Sequence, residues 1–169
     1  MDFGSALQIN WNSSKMSQNE AWYFSYGSNL SKQQMLSRTG SIPESVQAKL
    51  IDYQLAFRRV LNSSEVYATI VPVAGSIVIG AAYRCSQHAM NALDRCEGVA
   101  ENCYRRENVR VETITGDELD CIVYIGESFS EGDDRPSDSY LNWILTGAEE
   151  HNLPSEYIAV LFRQSRVDQ

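Results

Sequence analysis

One stretch constrains this chain more than any other: Tyr23-Phe24-Ser25-Tyr26-Gly27-Ser28-Asn29-Leu30-Ser31, running into Lys32-Gln33-Gln34-Met35-Leu36. An aromatic-rich run reads as a strand, and the residues from Lys32 read as a helix. Between them Gly27 permits a sharp turn, because it lacks the Cβ that makes unusual backbone angles costly. Ser31 is placed to cap the helix, with Gln34 three residues on completing a capping box. A strand, a tight turn and a helix start together leave several backbone N–H groups facing one way. That arrangement suits a carboxylate or a phosphate, and it equally suits an ordinary strand-to-helix connection.

The residues that follow indicate how many elements must pack around this stretch. Near-continuous apolar character over Trp22–Tyr26 predicts a central strand. The helix from Lys32 is expected to stop near Thr39-Gly40. Leu50 to Val60 alternates roughly with period two. Val66 to Val71 and Ser76 to Tyr83 read as two strands joined by the Pro72–Gly75 segment in a hairpin, with Gly80 marking a bulge or a close backbone approach. Ala89, Met90, Leu93 and Cys96 fall at helical spacing from Ser86, and Gly98 ends that helix. Tyr104–Ile114 and Leu119–Ile125 form an antiparallel pair, the first with charges reaching water. Residues 126–135 read as a surface loop, Tyr140 to His151 as a helix, and Ser155 to Leu161 as a last short one. The order does not alternate as regular βαβ units do. It predicts an α+β fold with a largely antiparallel sheet curling toward a barrel, surrounded by helices. A loose arm over residues 1–20, one domain over 21–163 and a polar tail over 164–169 complete the expectation.

Composition argues against several partners. The net charge is −8, from 22 acidic against 14 basic residues, and the basic residues are scattered, which disfavours nucleic acid and anionic membranes. No apolar run approaches the roughly 20 residues that span a bilayer, and no signal peptide is legible. Cys85, Cys96, Cys103 and Cys121 lack metal-site spacing, and a cytoplasmic location makes them buried thiols, with a local Cys96–Cys103 bridge as the lesser alternative. His88 and His151 are both expected on polar helix faces, far apart in sequence. Gly27-Ser28 lacks the flanking glycines of a nucleophile elbow.

Glu97 offers more chemistry. A carboxylate at the C-terminal end of a helix faces the negative end of the dipole, at a cost of about 0.3–1 kcal/mol. That alone moves a pKa by well under one unit, so partial burial must supply the rest of any useful shift. The same position also fits an exposed glutamate in a frayed last turn. Of the nine tyrosines, Tyr104, Tyr124 and Tyr140 sit in or beside strong elements, either as core aromatics or at a pocket rim.

Taken together, Tyr23–Leu30, Tyr67-Ala68-Thr69-Ile70, Gly80, Leu93-Asp94-x-x-Glu97-Gly98-Val99, Tyr104 and Gly147-Ala148-x-x-x-Asn152-Leu153-Pro154-x-x-Tyr157 resemble the gamma-glutamylcyclotransferases. The resemblance spans about Tyr23 to Leu161, and it rests on the order and spacing of the motifs jointly. It implies a small mixed barrel with helices around it, often a homodimer. It further implies a turn at Tyr23, Phe24, Ser25, Tyr26, Gly27 and Ser28 that holds a glutamyl group, Glu97 as catalytic acid/base, and Tyr104, Tyr124 and Tyr140 around the pocket. The implied reaction converts a small gamma-glutamyl amide into 5-oxoproline and a free amine without metal or cofactor. A non-catalytic small-ligand-binding protein on the same fold is the alternative. The chain departs from the family at Ser25, where alanine is common, and at Asn102-Cys103 before Tyr104; both bear on substrate choice.

Overall fold

The computed structural model describes Ser17 and residues 19–166, so the expected arm lies almost wholly outside the described residues. Six strands and four helices follow in chain order: β1 (Glu20–Ser25), α1 (Lys32–Thr39), β2 (Ser45–Val60), β3 (Val66–Ser86), α2 (Gln87–Cys96), β4 (Tyr104–Thr113), β5 (Glu118–Gly126), β6 (Phe129–Asp133), α3 (Asp138–Glu150) and α4 (Ser155–Gln164). A single 3₁₀ turn, Ser28–Leu30, stands between β1 and α1.

Strand order is β3-β1-β5-β4-β2, and a further β2–β3 pairing closes these five into a barrel; β6 adds to β2 outside the ring. Only β1 and β5 run parallel, through Trp22↔Cys121 and Tyr23↔Ile122, so the barrel is mixed and mostly antiparallel. β1 lies between β3 and β5, and Trp22, Tyr23, Phe24 and Ser25 are all buried. Its apolar run thus reflects a strand covered on both faces. Phe24, Leu30, Met35, Ile70, Tyr83, Leu93 and Ile144 are among the fully buried side chains of one continuous core. Removing such side chains from water stabilises the fold by about 1.5–3 kcal/mol each.

The helix ends follow from local chemistry. Ser31, Ser86 and Ser137 each accept a hydrogen bond from a backbone N–H three residues on, at Gln34, Ala89 and Tyr140. Only half of the expected capping box forms at α1, because the Ser31 N–H bonds the Ser28 carbonyl instead of the Gln34 side chain. Gly40 closes α1 at φ 81° and Gly98 turns the chain after α2 at φ 61°. Among the described residues no helix is long and apolar enough to cross a membrane.

Several expectations are corrected. The two strands either side of Pro72 are one strand, β3, which pairs antiparallel with β2 on both sides of that proline instead of folding back on itself. Tyr53 pairs with Pro72 and Ile51 with Ile77, so Val73–Ser76 bulge opposite Asp52 alone. Asp52, at φ 66°, accepts at its Oδ1 a hydrogen bond from the Gly75 N–H, which holds the bulge without ending the strand. The expected loop over 126–135 contains β6, which pairs with the end of β2 at Arg58↔Asp133 and Val60↔Phe129. Cys85 and Cys121 are buried thiols, whereas Cys96 is exposed and Cys103 half-buried. His151 is buried, where its Nε2 meets the Tyr83 hydroxyl at 2.8 Å and the Leu30 carbonyl at 2.9 Å. Helix α4 runs on to Gln164, beyond the Leu161 expected from sequence.

Candidate active site

The mouth of the barrel forms where β1 ends. Gly80 on β3 lets this happen, since a Cβ there would lie 2.0 Å from the Ser25 carbonyl oxygen. The chain then leaves the sheet at Tyr26, and Gly27, Ser28 and Asn29 cross the barrel end. The first part of β3 pairs with β2 on one side only, leaving Ala68 with an open edge. Two tyrosine hydroxyls close that edge: Tyr104 donates to the Ala68 carbonyl at 2.7 Å, and Tyr140 accepts from the Ala68 N–H at 3.0 Å.

Seven elements and turns thereby meet around one narrow pocket. Tyr23, Tyr26, Gly27, Ser28 and Asn29 form one side, and Ala68, Glu97, Tyr104, Tyr124 and Tyr140 the other. Of the residues singled out from sequence, Tyr23, Tyr26, Gly27, Ser28, Glu97, Tyr104, Tyr124 and Tyr140 therefore line a shared pocket. Phe24 and Ser25 do not: Phe24 belongs to the core, and both are fully buried away from the lining. A wider cleft of about 440 Å³ opens beyond, sharing Ser28, Glu97, Tyr104 and Tyr140 with the pocket and adding Arg38, Tyr67, Arg95 and Trp143.

Glu97 stands at the junction of the two spaces. It caps the C-terminus of α2, its N–H bonding the Leu93 carbonyl at 2.8 Å. Its side chain is 14% exposed and accepts at Oε1 from Asn29 Nδ2 at 3.0 Å and from Arg38 Nη1 at 3.2 Å. Burial pushes the Glu97 carboxyl above the usual carboxylate range, while the Arg38 charge and the Asn29 bond pull the other way. Asn29 is itself held, donating to the Tyr23 hydroxyl at 3.0 Å and accepting from Arg38 at 2.9 Å.

The tyrosines differ in what they have left to give. Tyr26 donates to the Tyr124 carbonyl, Tyr104 to Ala68, and Tyr124 to Asp94, whose carboxylate also takes a two-point contact from Arg106. Tyr23 and Tyr140 accept in their bonds to Asn29 and Ala68, which leaves their own protons for a ligand. Burial raises the pKa of all five, so they stay neutral donors. Leu30 and Ser31 donate their N–H groups to Gly27 and Ser28, but those of Gly27, Ser28 and Asn29 take no acceptor among the described residues.

Sequence reasoning missed three contributors. Ala68 acts through its backbone edge, which no side-chain pattern reveals. Asn29 lay within the opening stretch without a signal for its role. Arg38 is 59 residues from Glu97 and showed only as a basic residue in the last turn of α1.

Comparison with known proteins identifies the family. A model of the AIG2-like family matches residues 77–161. Human gamma-glutamylcyclotransferase is 33% identical over 140 residues, covering 80% of this chain and 73% of the human protein. The chain belongs to the gamma-glutamylcyclotransferase family. The mouse gamma-glutamylcyclotransferase matches to the same extent, 33% over 140 residues with 80% and 73% coverage. A solved gamma-glutamyl cyclotransferase superposes with a TM-score of 0.80 at 30% identity, over 89% of this chain and 90% of that one. That enzyme thus shares the barrel and the helices around it.

Proposed function

We propose that this chain cyclises a gamma-glutamyl amide to 5-oxoproline, releasing a free amine or amino acid, with Glu97 as acid/base. The observation that carries the reading is the position of Glu97: largely shielded from solvent, ion-paired through one oxygen, and set where a tyrosine-lined pocket opens into a larger cleft. The substrate brings its own nucleophile, since its α-amino group can reach its own γ-carbonyl in a five-membered ring. No serine or cysteine is required of the protein, and holding the substrate folded makes the attack intramolecular, which lowers the barrier.

In the reading favoured here the glutamyl end enters the inner pocket. Its α-carboxylate meets the N–H groups of Gly27, Ser28 and Asn29, and the small side chains there allow close approach. Glu97 takes a proton from the α-ammonium, and the freed amine attacks the γ-carbon. The hydroxyls of Tyr23 and Tyr140 are the available donors for the oxygen that gains negative charge. Protonated Glu97 then delivers its proton to the departing nitrogen as the carbon–nitrogen bond breaks. Across the reaction the attacking nitrogen gives up two protons and the departing nitrogen takes two, so one carboxylate cycling between states suffices. The leaving amine lies in the outer cleft, which is roomy enough for an amino acid or a dipeptide.

The test is a panel of gamma-glutamyl amides incubated with wild type and Glu97→Gln, with 5-oxoproline measured. The expected result is ring product from at least one amide and its near-complete loss in the variant, whose circular dichroism stays unchanged. A Glu97→Gln protein that still turns over removes Glu97 from this role.

A further inference from the structure

A catalytic carboxylate that must both accept and return protons cannot have its two oxygens equally engaged. In Glu97 they are not. Oε1 receives Asn29 Nδ2 and Arg38 Nη1, while Oε2 accepts no hydrogen bond from any described residue. The two donors are also tied to each other, because Arg38 Nη1 donates to Asn29 Oδ1 at 2.9 Å. Asn29 is in turn fixed by the Tyr23 hydroxyl at 3.0 Å. The result is a closed triangle of Arg38, Asn29 and Glu97, seated on β1 through Tyr23.

We infer that Arg38 and Asn29 are positioning residues that clamp Glu97 by Oε1, so that Oε2 alone exchanges protons with the substrate and the carboxylate rests ionised. The inference depends on the acid/base role proposed for Glu97. Arg38 reaches the clamp from the last turn of α1, only partly exposed at 26% of its side chain. A positive charge 3.2 Å from a buried carboxylate favours the ionised form, opposing the burial that favours the protonated one. The other groups that act on Glu97 or share its pocket are weakly placed to substitute. Tyr23, Tyr26, Tyr104, Tyr124 and Tyr140 are neutral, Cys103 has its thiol pushed toward the neutral form by burial, and Glu65, Tyr67, Arg95 and Cys96 line the same outer cleft without bonding Glu97. Geometry matters as much as charge: losing the two-donor grip frees the carboxylate to rotate, and either oxygen then faces the substrate.

Activity profiles of Arg38→Gln, Arg38→Lys and Asn29→Ala against pH test this, alongside Glu97→Gln and calorimetric binding of 5-oxoproline at pH 8. In Arg38→Gln the acid limb of kcat/KM is expected to move up by at least about one pH unit, because a nearby opposite charge typically lowers a carboxyl by that much or more. At pH 6 that appears as roughly a tenfold loss that recovers at higher pH, with 5-oxoproline affinity within about twofold of wild type. Arg38→Lys keeps the charge without the fixed fork, so its limb stays near wild type while kcat falls. Asn29→Ala lowers kcat at every pH with a smaller move of the limb. An unmoved acid limb in Arg38→Gln overturns the clamp, as does a uniform loss accompanied by weakened 5-oxoproline binding, which marks Arg38 as a ligand contact or a structural prop. If Arg38→Gln fails to fold, the Arg38→Lys and Asn29→Ala profiles decide: wild-type kcat in both overturns the clamp. An active Glu97→Gln fails the functional reading itself, whatever the Arg38 variants do.

Discussion

At the residue scale, two buried titrating groups near the barrel mouth pull stability in opposite directions. Burial raises the Glu97 pKa above its ordinary 4.5, so between pH 4.5 and the folded value the folded state holds more of this proton than the unfolded state does. Stability from this residue is therefore present below pH 4.5 and lost as pH rises through the folded value. Replacing it with glutamine removes the dependence, and Glu97→Gln is expected to be more stable than wild type at pH 7 and equal to it near pH 4. Urea unfolding at both pH values measures the difference. Burial lowers the His151 pKa below its ordinary 6.5, with the Lys32 charge adding to the effect, so here the unfolded state binds the extra proton. Its contribution is present above pH 6.5 and lost as pH falls through the folded value. In His151→Gln the slope of stability against pH between about 7 and 5 should flatten, even though the variant loses a buried ring packed edge-on against Tyr83. An unchanged slope would place the proton uptake elsewhere. Glu97 was legible from its place at the end of α2, but its partners were not. A sequence lists Asn29 and Arg38 without stating that the 3₁₀ turn and α1 deliver them to a carboxylate at the end of α2.

At the element scale, the turn after β1 is held less by its own bonds than by what packs on it. Gly147 on α3 meets the turn backbone directly: a Cβ there would lie 2.3 Å from both the Leu30 carbonyl carbon and the Ser31 nitrogen. The neighbours are backbone atoms and cannot swing aside. Gly147→Ala should cost about 1–3 kcal/mol in urea unfolding through overpacking. Because the displaced element is the turn that lines the pocket, 5-oxoproline binding is expected to weaken as well. A fully neutral Gly147→Ala would mean that α3 moves freely against the turn. The same close approach explains why Gly147-Ala148 was readable as part of a motif and unreadable as a contact. Helices were the most legible elements, since serine caps and glycine stops act within a few residues. The error at β3 had the reverse cause. Pro72 and Gly75 are turn residues by local preference, yet β2 pairs along both sides of them, and the long-range ladder overrides the local signal.

For the whole molecule, the pocket belongs to no single element. Tyr23, Ser28, Ala68, Glu97, Tyr104, Tyr124 and Tyr140 come from β1, the 3₁₀ turn, β3, the end of α2, β4, β5 and α3. A ligand that binds only when all of these are assembled must stabilise the entire fold. With 5-oxoproline at 100 times its dissociation constant the gain is about 2.7 kcal/mol, or roughly 5–10 °C in Tm for a chain of this size. Scanning calorimetry across a ligand titration checks it; a shift confined to a partial transition would mean that the barrel and the site unfold separately. The sequence by itself determined the central aromatic strand, the turn after it, the serine caps and glycine stops of the first two helices, the predominance of antiparallel pairing and the family motifs, because each is written in local spacing or local chemistry. Only the tertiary structure decided that β2 and β3 close the ring, that β6 joins its edge, that His151 is buried, and that Arg38 and Asn29 grip Glu97. Those outcomes depend on which distant segments meet, and a hydrogen bond between residues 59 or 68 positions apart leaves no trace in the spacing of either.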